Sequence, residues 1–494
     1  MKNPLPVLWV LGLIAYGCST EVPDQAAAYR APDFIAAHCG SCHLPPDPAS
    51  LPRDIWALEV LPLMGALNGV YVSRPRSRYV GQGKEAPYLE KVFPTQATID
   101  SATWSQITAY YLDNAPNALP PPPEPSELYA LEAFVPRRVI DTASPWVPPF
   151  TTSLGVNPDG TVSVGGRTSG GGVRRIFDGR GSIVDRGPSD SPPSFVSEAG
   201  KLTLEMGILY PSDLRVGRLL VNGRLRMDSL ARPLDLATVD LDLNGRPDTV
   251  IAEYGNFTGR LTAREGGRTT VLSSTPGAIR LQVADYDGDG NPDLLALFAQ
   301  GDERLEAWIS RPGGPERRGL LRFPPSYGSA DFQVVDFNGD GHPDLLTASG
   351  DNFDYRPIPK PYHGLRLYLN DGDGAQVPAW FYHLDGAYAV RCADYDQDGD
   401  LDIAAIAYFI PPADRSLRSF VYLEQTGDLA FRPQSFVKPV GEHYIRLADG
   451  DLDGDGDLDL LLGNFAGYLP DRLPPDARID RESPVYVVLE NRTK

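Results

Sequence analysis

A nine-residue pattern recurs five times in the second half of this chain, and it constrains the fold more than any other feature. The copies are Asp240, Asp242, Asn244, Gly245 and Asp248; Asp285, Asp287, Asp289, Gly290 and Asp293; Asp336, Asn338, Asp340, Gly341 and Asp344; Asp394, Asp396, Asp398, Gly399 and Asp402; and Asp451, Asp453, Asp455, Gly456 and Asp459. Successive copies start 45, 51, 58 and 57 residues apart, and each is flanked by short apolar runs of strand length. A period near 50 residues made of short strands and tight acidic loops predicts the blades of a β-propeller. The pattern also explains the charge. The net charge is -20, and the five copies alone hold 18 aspartates at positions 1, 3, 5 and 9. An acidic chain of this kind is a poor binder of phosphate backbones, so no nucleic-acid partner is expected.

Each copy resembles a shortened calcium loop. Side-chain oxygens at positions 1, 3, 5 and 9 are expected to converge on one cation, Gly at position 6 permits the sharp turn, and a backbone carbonyl near position 7 completes the shell. Oxygen-only ligands select a hard ion over zinc or copper. His342, at a seventh position, would therefore present its carbonyl rather than its imidazole. Five copies at one register oppose the plainer reading as Asp/Asn-Gly turns. Up to five calcium ions are expected, bound more weakly in the loops that begin at Asp240 and Asp336, which have three carboxylates each. Asp449 is an additional candidate beside Asp451.

The repeats resemble the FG-GAP/VCBS family of propeller repeats. That resemblance implies seven blades, with calcium between the first two strands of a blade. Residues 129–494 form the expected propeller, at about 52 residues per blade. Two blades without metal loops then fall in residues 130–230, where Asn157-Pro158-Asp159-Gly160 and Asn222-Gly223 mark turns. The last blade has only three strands in its own stretch, ending at 485–490, and residues 131–140 are expected to supply its fourth. On the face opposite the metal loops, the connections are long: 254–257, 351–364 with Phe353, Tyr355 and His363, 408–417, and 464–482 with Phe465 and Tyr468. His443 is expected near the channel mouth on this face. Insertions gathered on one face suggest a surface for a carbohydrate or protein ligand.

The N-terminal quarter reads differently. Residues 5–17 are apolar behind Lys2, too short to span a bilayer, and read as a signal peptide occupying residues 1–18. Ala15-Tyr16-Gly17-Cys18 resembles a bacterial lipobox, which implies that Cys18 is acylated and that the protein is exported to the periplasm or cell surface and anchored to a membrane by lipid. Cys39-Gly40-Ser41-Cys42-His43 is the C-x-x-C-H signature of covalent c-type haem attachment, in which two thiolates meet the porphyrin vinyl groups and His43 ligates the iron. An export signal and the lack of a second Cys pair argue against a redox dithiol or a zinc site. Met64, the only Met between His43 and the expected propeller, is the expected sixth ligand, since His38 lies too close to the attachment turn; the alternative is a core Met filling a gap, with the iron five-coordinate. Cys392, in an apolar run, reads as a buried core residue.

Helices are expected at 31–38, 56–64 and 101–112, the last with Trp104, Ile107, Tyr110 and Tyr111. Residues 28–118 resemble a bacterial monohaem cytochrome c, with Leu44-Pro45-Pro46-Asp47-Pro48 and Val60-Leu61-Pro62-Leu63-Met64-Gly65 carrying the likeness. The expected organisation is therefore a small all-α cytochrome c domain at 25–118, a Pro-rich linker at 119–128, and an all-β propeller. One covalent haem c bound by Cys39, Cys42, His43 and Met64 suits an electron carrier with a redox partner protein more than an enzyme. Two rivals remain: a haem-linked dehydrogenase that oxidises a sugar or alcohol on the propeller, and a surface adhesin. Few free bases (His363, His383, His443) and no nucleotide motif support the former.

Overall fold

The computed structural model describes residues 29–123, 126–142, 149–168, 171–197, 200–353, 355–409, 418–436, 443–465 and 483–493. The signal peptide and Cys18 lie outside them, as do Tyr468 and most of the 408–417 and 464–482 connections.

Seven sheets follow one another around an axis, antiparallel apart from the short strand Tyr129–Ala130, which lies parallel to the outer strand of blade 6. Blade 1 runs from Phe150–Val156 to Ile183–Ser189, and blade 2 from Pro193–Ser197 to Arg224–Ala231. Blade 3 runs from Pro233–Val239 to Arg268–Ser273, and blade 4 from Ala278–Ala284 to Glu316–Arg322. Blade 5 runs from Ser329–Val335 to Gln376–His383, and blade 6 from Ala387–Ala393 to Ala430–Ser435. Blade 7 takes Tyr444–Gly450, Asp459–Asn464 and Tyr486–Asn491 from the C-terminus and its outer strand, Phe134–Val139, from before blade 1. Phe134 pairs with Asn491 and Val139 with Tyr486, so the ring closes by joining distant ends of the chain. A propeller closed in this way keeps only short, protected strand edges.

The second strand of a blade is covered on both faces, and its sequence shows it. Asp293–Phe298, Asp344–Ser349, Asp402–Ala407 and Asp459–Asn464 are buried at every position, so they read as apolar runs rather than as alternation. Each innermost strand instead carries a register shift after its first or second residue, in all seven blades. Such a bulge re-aims the next side chain. The re-aimed side chains lace neighbouring blades: Asp235 accepts from Leu281 N (2.9 Å), Asp331 from Val390 N (3.2 Å) and Ser153 from Val196 N (3.0 Å). Gln333 holds both the N–H and the carbonyl of Cys392, which is itself buried, as expected from its apolar run.

The N-terminal segment is helical. Its elements include Asp33–Cys39, a continuous stretch through Arg53–Ile55, Trp56–Val60 and Leu61–Leu67, and Ser101–Asn114, capped by the Asp100 carboxylate. Arg76–Val80 and Ala86–Val92 add two short helices that the sequence reading did not find. Ile35, Leu51, Ile55, Trp56, Leu61, Ile107 and Tyr111 form its core, with the Trp56 and Tyr111 rings 4.5 Å apart. Trp56 Nε1 donates to Pro48 O and Tyr111 OH to Pro46 O, fixing the Pro-rich loop that follows His43. No helix among the described residues is long and apolar enough to cross a membrane.

This segment is not held at a distance by the Pro-rich linker. It sits on the propeller face opposite the acidic loops, gripped by the connections between strands two and three of blades 2, 3 and 5. From blade 2, Asp213 N donates to Glu85 Oε1 at 2.9 Å, and Ser212 also bonds Glu85. From blade 3, Phe257 meets Phe93 edge-on at 5.4 Å. From blade 5, Arg356 bonds Asp54 (2.6 Å) and Glu59 (3.0 Å), Tyr362 OH donates to Ser50 O, and Tyr355 and Ile358 join the helical core. Two of the long insertions that the sequence offers as an open ligand surface, 254–257 and 351–364, therefore help to seat the helical segment.

Candidate functional sites

All five acidic loops join the first strand of a blade to its second, in blades 3 to 7. Their shared turn follows from backbone geometry: Gly245, Gly290, Gly341, Gly399 and Gly456 at position 6 have φ of 83°, 87°, 87°, 100° and 94°, a region costly for any residue with a Cβ. Their N–H groups all donate to the first aspartate, as Gly245 does to Asp240 (2.7 Å) and Gly290 to Asp285 (2.9 Å). That bond folds the loop back on itself and brings positions 1, 3 and 5 together.

In three loops, Asp285/Asp287/Asp289, Asp394/Asp396/Asp398 and Asp451/Asp453/Asp455, carboxylate oxygens lie within 4.8 Å of one another. The loops of blades 3 and 5 have Asn244 and Asn338 in the equivalent sets. The aspartate at position 9 has a different environment from the first three. Asp293 accepts from Tyr286 N and Ser310 N, Asp344 from Phe337 N and Asn370 N, and Asp459 from Leu452 N and Asn491 N. Asp402 accepts from Tyr422 OH and Gln425 N, and Asp248 from Leu241 N. These carboxylates latch the loop to its own blade.

Two features were missed from sequence. At position 7 of the last two loops stand Asp400 and Asp457, each with a buried oxygen that makes no hydrogen bond. Desolvation raises both, Asp457 to about 6, where Asp455 adds to the shift. The acidic residues were visible in the sequence, but the reading assigned that position only a carbonyl. In blade 4 the guanidinium of Arg311 bonds Asp289 (2.5 Å) and Asp287, placing a cation of the chain's own among the carboxylates. Asp449 does not enter its loop. It pairs within the innermost strand of blade 7 and accepts from Tyr395 OH at 3.1 Å, towards blade 6.

The second candidate site lies at the end of the Asp33–Cys39 helix. Cys39 and Cys42 are free thiols, the former half-buried and the latter exposed. His43 Nδ1 bonds the Leu44 carbonyl at 2.8 Å, which orients the ring and leaves Nε2 without a hydrogen bond among the described residues. A ligating histidine commonly donates its other ring nitrogen in this way. Burial lowers the His43 pKa, which favours the neutral ring. Asp302 and Arg322 of blade 4 lie within electrostatic reach, so His43 faces the seam with the propeller. Met64 is half-buried on Leu61–Leu67. Leu61 packs into one helical cluster and Leu63, Ala66 and Leu67 into another, while Met64 belongs to neither. His38 is exposed. Free thiols beside a pre-oriented imidazole are the donor set that covalent haem attachment requires.

Of the other histidines, His363 is buried beneath the helical segment and His383 lies beside Asp385 at 3.5 Å. His443 precedes the innermost strand of blade 7, its ring 6.3 Å from that of Tyr408.

A sequence profile of the FG-GAP-like repeat matches residues 240–296, 285–347 and 358–405, which include the first four acidic loops. A comparison with curated proteins returns no match. Among solved structures, the crystal structure of Saccharomyces cerevisiae Sqt1 aligns with a TM-score of 0.41 and 9% identity, covering 70% of this chain and 97% of that one. The chain thus carries FG-GAP repeats within a seven-bladed all-β propeller.

Proposed function

We propose that this protein is an exported, lipid-anchored c-type cytochrome for electron transfer, whose calcium-stabilised propeller is a platform for recognising a redox partner protein. The observation that carries this reading is the arrangement at residues 39–43, where two free thiols are followed by an imidazole with Nδ1 engaged and Nε2 open. Cys39 and Cys42 would anchor one haem c, and His43 and Met64 would hold its iron. Bound haem supplies a one-electron couple, which His/Met ligation shifts to high potential. The chain's own residues hold the imidazole in one orientation through Leu44 O, exclude water with Trp56 and Tyr111, and fix the segment against blades 2, 3 and 5.

Calcium is proposed at the acidic loops of blades 3 to 7, most tightly at those of blades 6 and 7. In those two, three clustered carboxylates are joined by Asp400 or Asp457 with an unpartnered oxygen. Anchoring is assigned to Cys18. The rival reading, a haem-linked dehydrogenase, is favoured by one observation: the attachment segment and the channel mouth share a face, so a substrate oxidised there would lie near the haem.

The test is to express the full chain in a bacterium that matures c-type cytochromes, then record the pyridine haemochrome spectrum and the intact mass. One covalently bound haem is expected, lost in the C39S/C42S double variant. A chain of apo mass without Soret absorbance would overturn the proposal. Haem reduction by sugars or alcohols alone would favour the dehydrogenase, and reduction only by a protein partner the carrier.

A further inference from the structure

The helix that carries Met64 is pinned by two contacts, and both come from the same neighbour. Leu61, Met64 and Gly65 stand at spacings of three and four along Leu61–Leu67, so they share one face. Leu61 packs in the cluster that also takes in Cys39 and Trp104, which turns this face towards the attachment segment. Gly65 lies directly under the Trp104 ring. A Cβ at this position would stand 2.9 Å from Trp104 Cζ2 and 3.2 Å from Trp104 Cε2, closer than carbon atoms pack. The ring and the helix therefore meet only because residue 65 has no side chain. Glycine is otherwise a poor choice inside a helix, and here it directly follows the proposed iron ligand.

The second contact fixes the end of the helix. Asn68 Nδ2 donates to Met64 O at 2.9 Å, while Asn68 Oδ1 accepts from Thr98 Oγ1 (3.1 Å) and Asn68 O from Thr98 N (2.9 Å). Thr98 leads into Asp100, whose carboxylate caps the helix Ser101–Asn114 that presents Trp104. Residues 98–104 thus hold the Met64 carbonyl, through Asn68, and the backbone at Gly65 together. Met64 itself joins neither apolar cluster of the helical segment, so this element, rather than packing of its own, sets where its side chain stands. One turn beyond Trp104 on the same helix face, Thr108 keeps a buried hydroxyl without a hydrogen-bond partner, a group that a bound cofactor can satisfy.

We infer that Trp104 is a positioning residue: seated on Gly65, it sets the separation between the Met64 helix and the Cys39–His43 segment, so that the thioether reaches the iron of a haem attached there. This role rests on the cytochrome reading and deepens it. A thioether is a weak ligand on a flexible side chain, and its hold on iron depends on how firmly the surrounding chain presents it.

The full chain, matured with haem as above, is compared with W104A, W104F, G65A and M64A. A methionine–iron bond gives the ferric protein a far-red absorption band and keeps carbon monoxide from the ferrous iron. W104A is expected to lose at least half of the band and to bind carbon monoxide at least tenfold faster, with W104F restoring most of both. G65A forces a Cβ against the ring with the tryptophan still in place; it carries the same expectation and serves if W104A gives no cooperative melting transition. Folded W104A and G65A that keep the full band and the slow carbon monoxide reaction, while M64A loses both, would overturn the inference and leave the cytochrome reading standing. Attached haem whose band is untouched by M64A would overturn it through Met64. A wild type of apo mass would overturn the reading and the inference together.

Discussion

The guanidinium of Arg311 lies between Asp287 and Asp289 and so brings to the blade 4 loop the charge that a divalent cation would bring to its neighbours. A metal entering this loop must first move the arginine aside. R311Q should therefore tighten calcium binding at this loop at least tenfold, seen by titration as a gain in high-affinity sites over the wild type. An unchanged isotherm would show that the arginine swings away without cost. The loops themselves were legible because aspartates at a fixed spacing survive any change of surroundings. Arg311 was not, since it stands 24 residues from Asp287 and reaches it only through the strand pairing of blade 4. Asp449 failed for a related reason: proximity to Asp451 suggested one site, but Asp449 is still within a strand and its side chain turns towards Tyr395.

Among the elements, the connection that ends in Asp213 does the most to join parts of the molecule. Its Oδ1 accepts from Asn256 N, Phe257 N, Thr258 N and Thr258 Oγ1, all between 2.8 and 3.1 Å, while its own N–H reaches Glu85. Removing a buried carboxylate strands those donors, so D213A should destabilise the protein by about 2–4 kcal/mol in urea unfolding. Hydrogen exchange should rise in Ala86–Val92 as well as in blade 3; a change confined to blade 3 would show that Glu85 does not couple the two. The propeller strands could be read from apolar runs and turn residues, whereas the two metal-free blades and the shared last blade followed from the seven blades that the resemblance to FG-GAP/VCBS repeats implies. The seating of the helical segment could not. Arg76–Val80 and Ala86–Val92 are too short to show a helical period, and the contacts that matter, such as Phe93 with Phe257, join residues whose proximity only the closed ring determines.

Across the whole molecule, the loops richest in carboxylates, with Asp400 and Asp457 beside their clusters, fall on blades 6 and 7, whereas the contacts that seat the helical segment come from blades 2, 3 and 5. Chelating calcium should therefore raise hydrogen exchange first in residues 394–402 and 451–459 while Ser101–Asn114 stays protected. Simultaneous loss of protection would show a single cooperative unit.

Acidity acts on the same half. Burial pushes Asp402 up to about 6 from its ordinary 3.8, so without metal the folded chain holds a proton there that the unfolded chain has already released. The stability of the chelated protein should then fall as pH rises from about 4 to about 6, with calcium offsetting the fall by neutralising the ionised loop. Melting temperatures at pH 5 and 7, with and without calcium, measure both signs.

The pairing of Phe134–Val139 with Tyr486–Asn491 also dictates an order of events during synthesis. The strand that completes the last blade is made before the first blade, yet it must wait unpaired until almost the entire chain has been released. The helical segment is made earlier still, and the connections of blades 2, 3 and 5 that seat it are all made before Tyr486–Asn491 closes the ring. Residues 39–43 therefore leave the ribosome ahead of the whole propeller, and the proposed haem attachment would find both thiols uncovered in that interval.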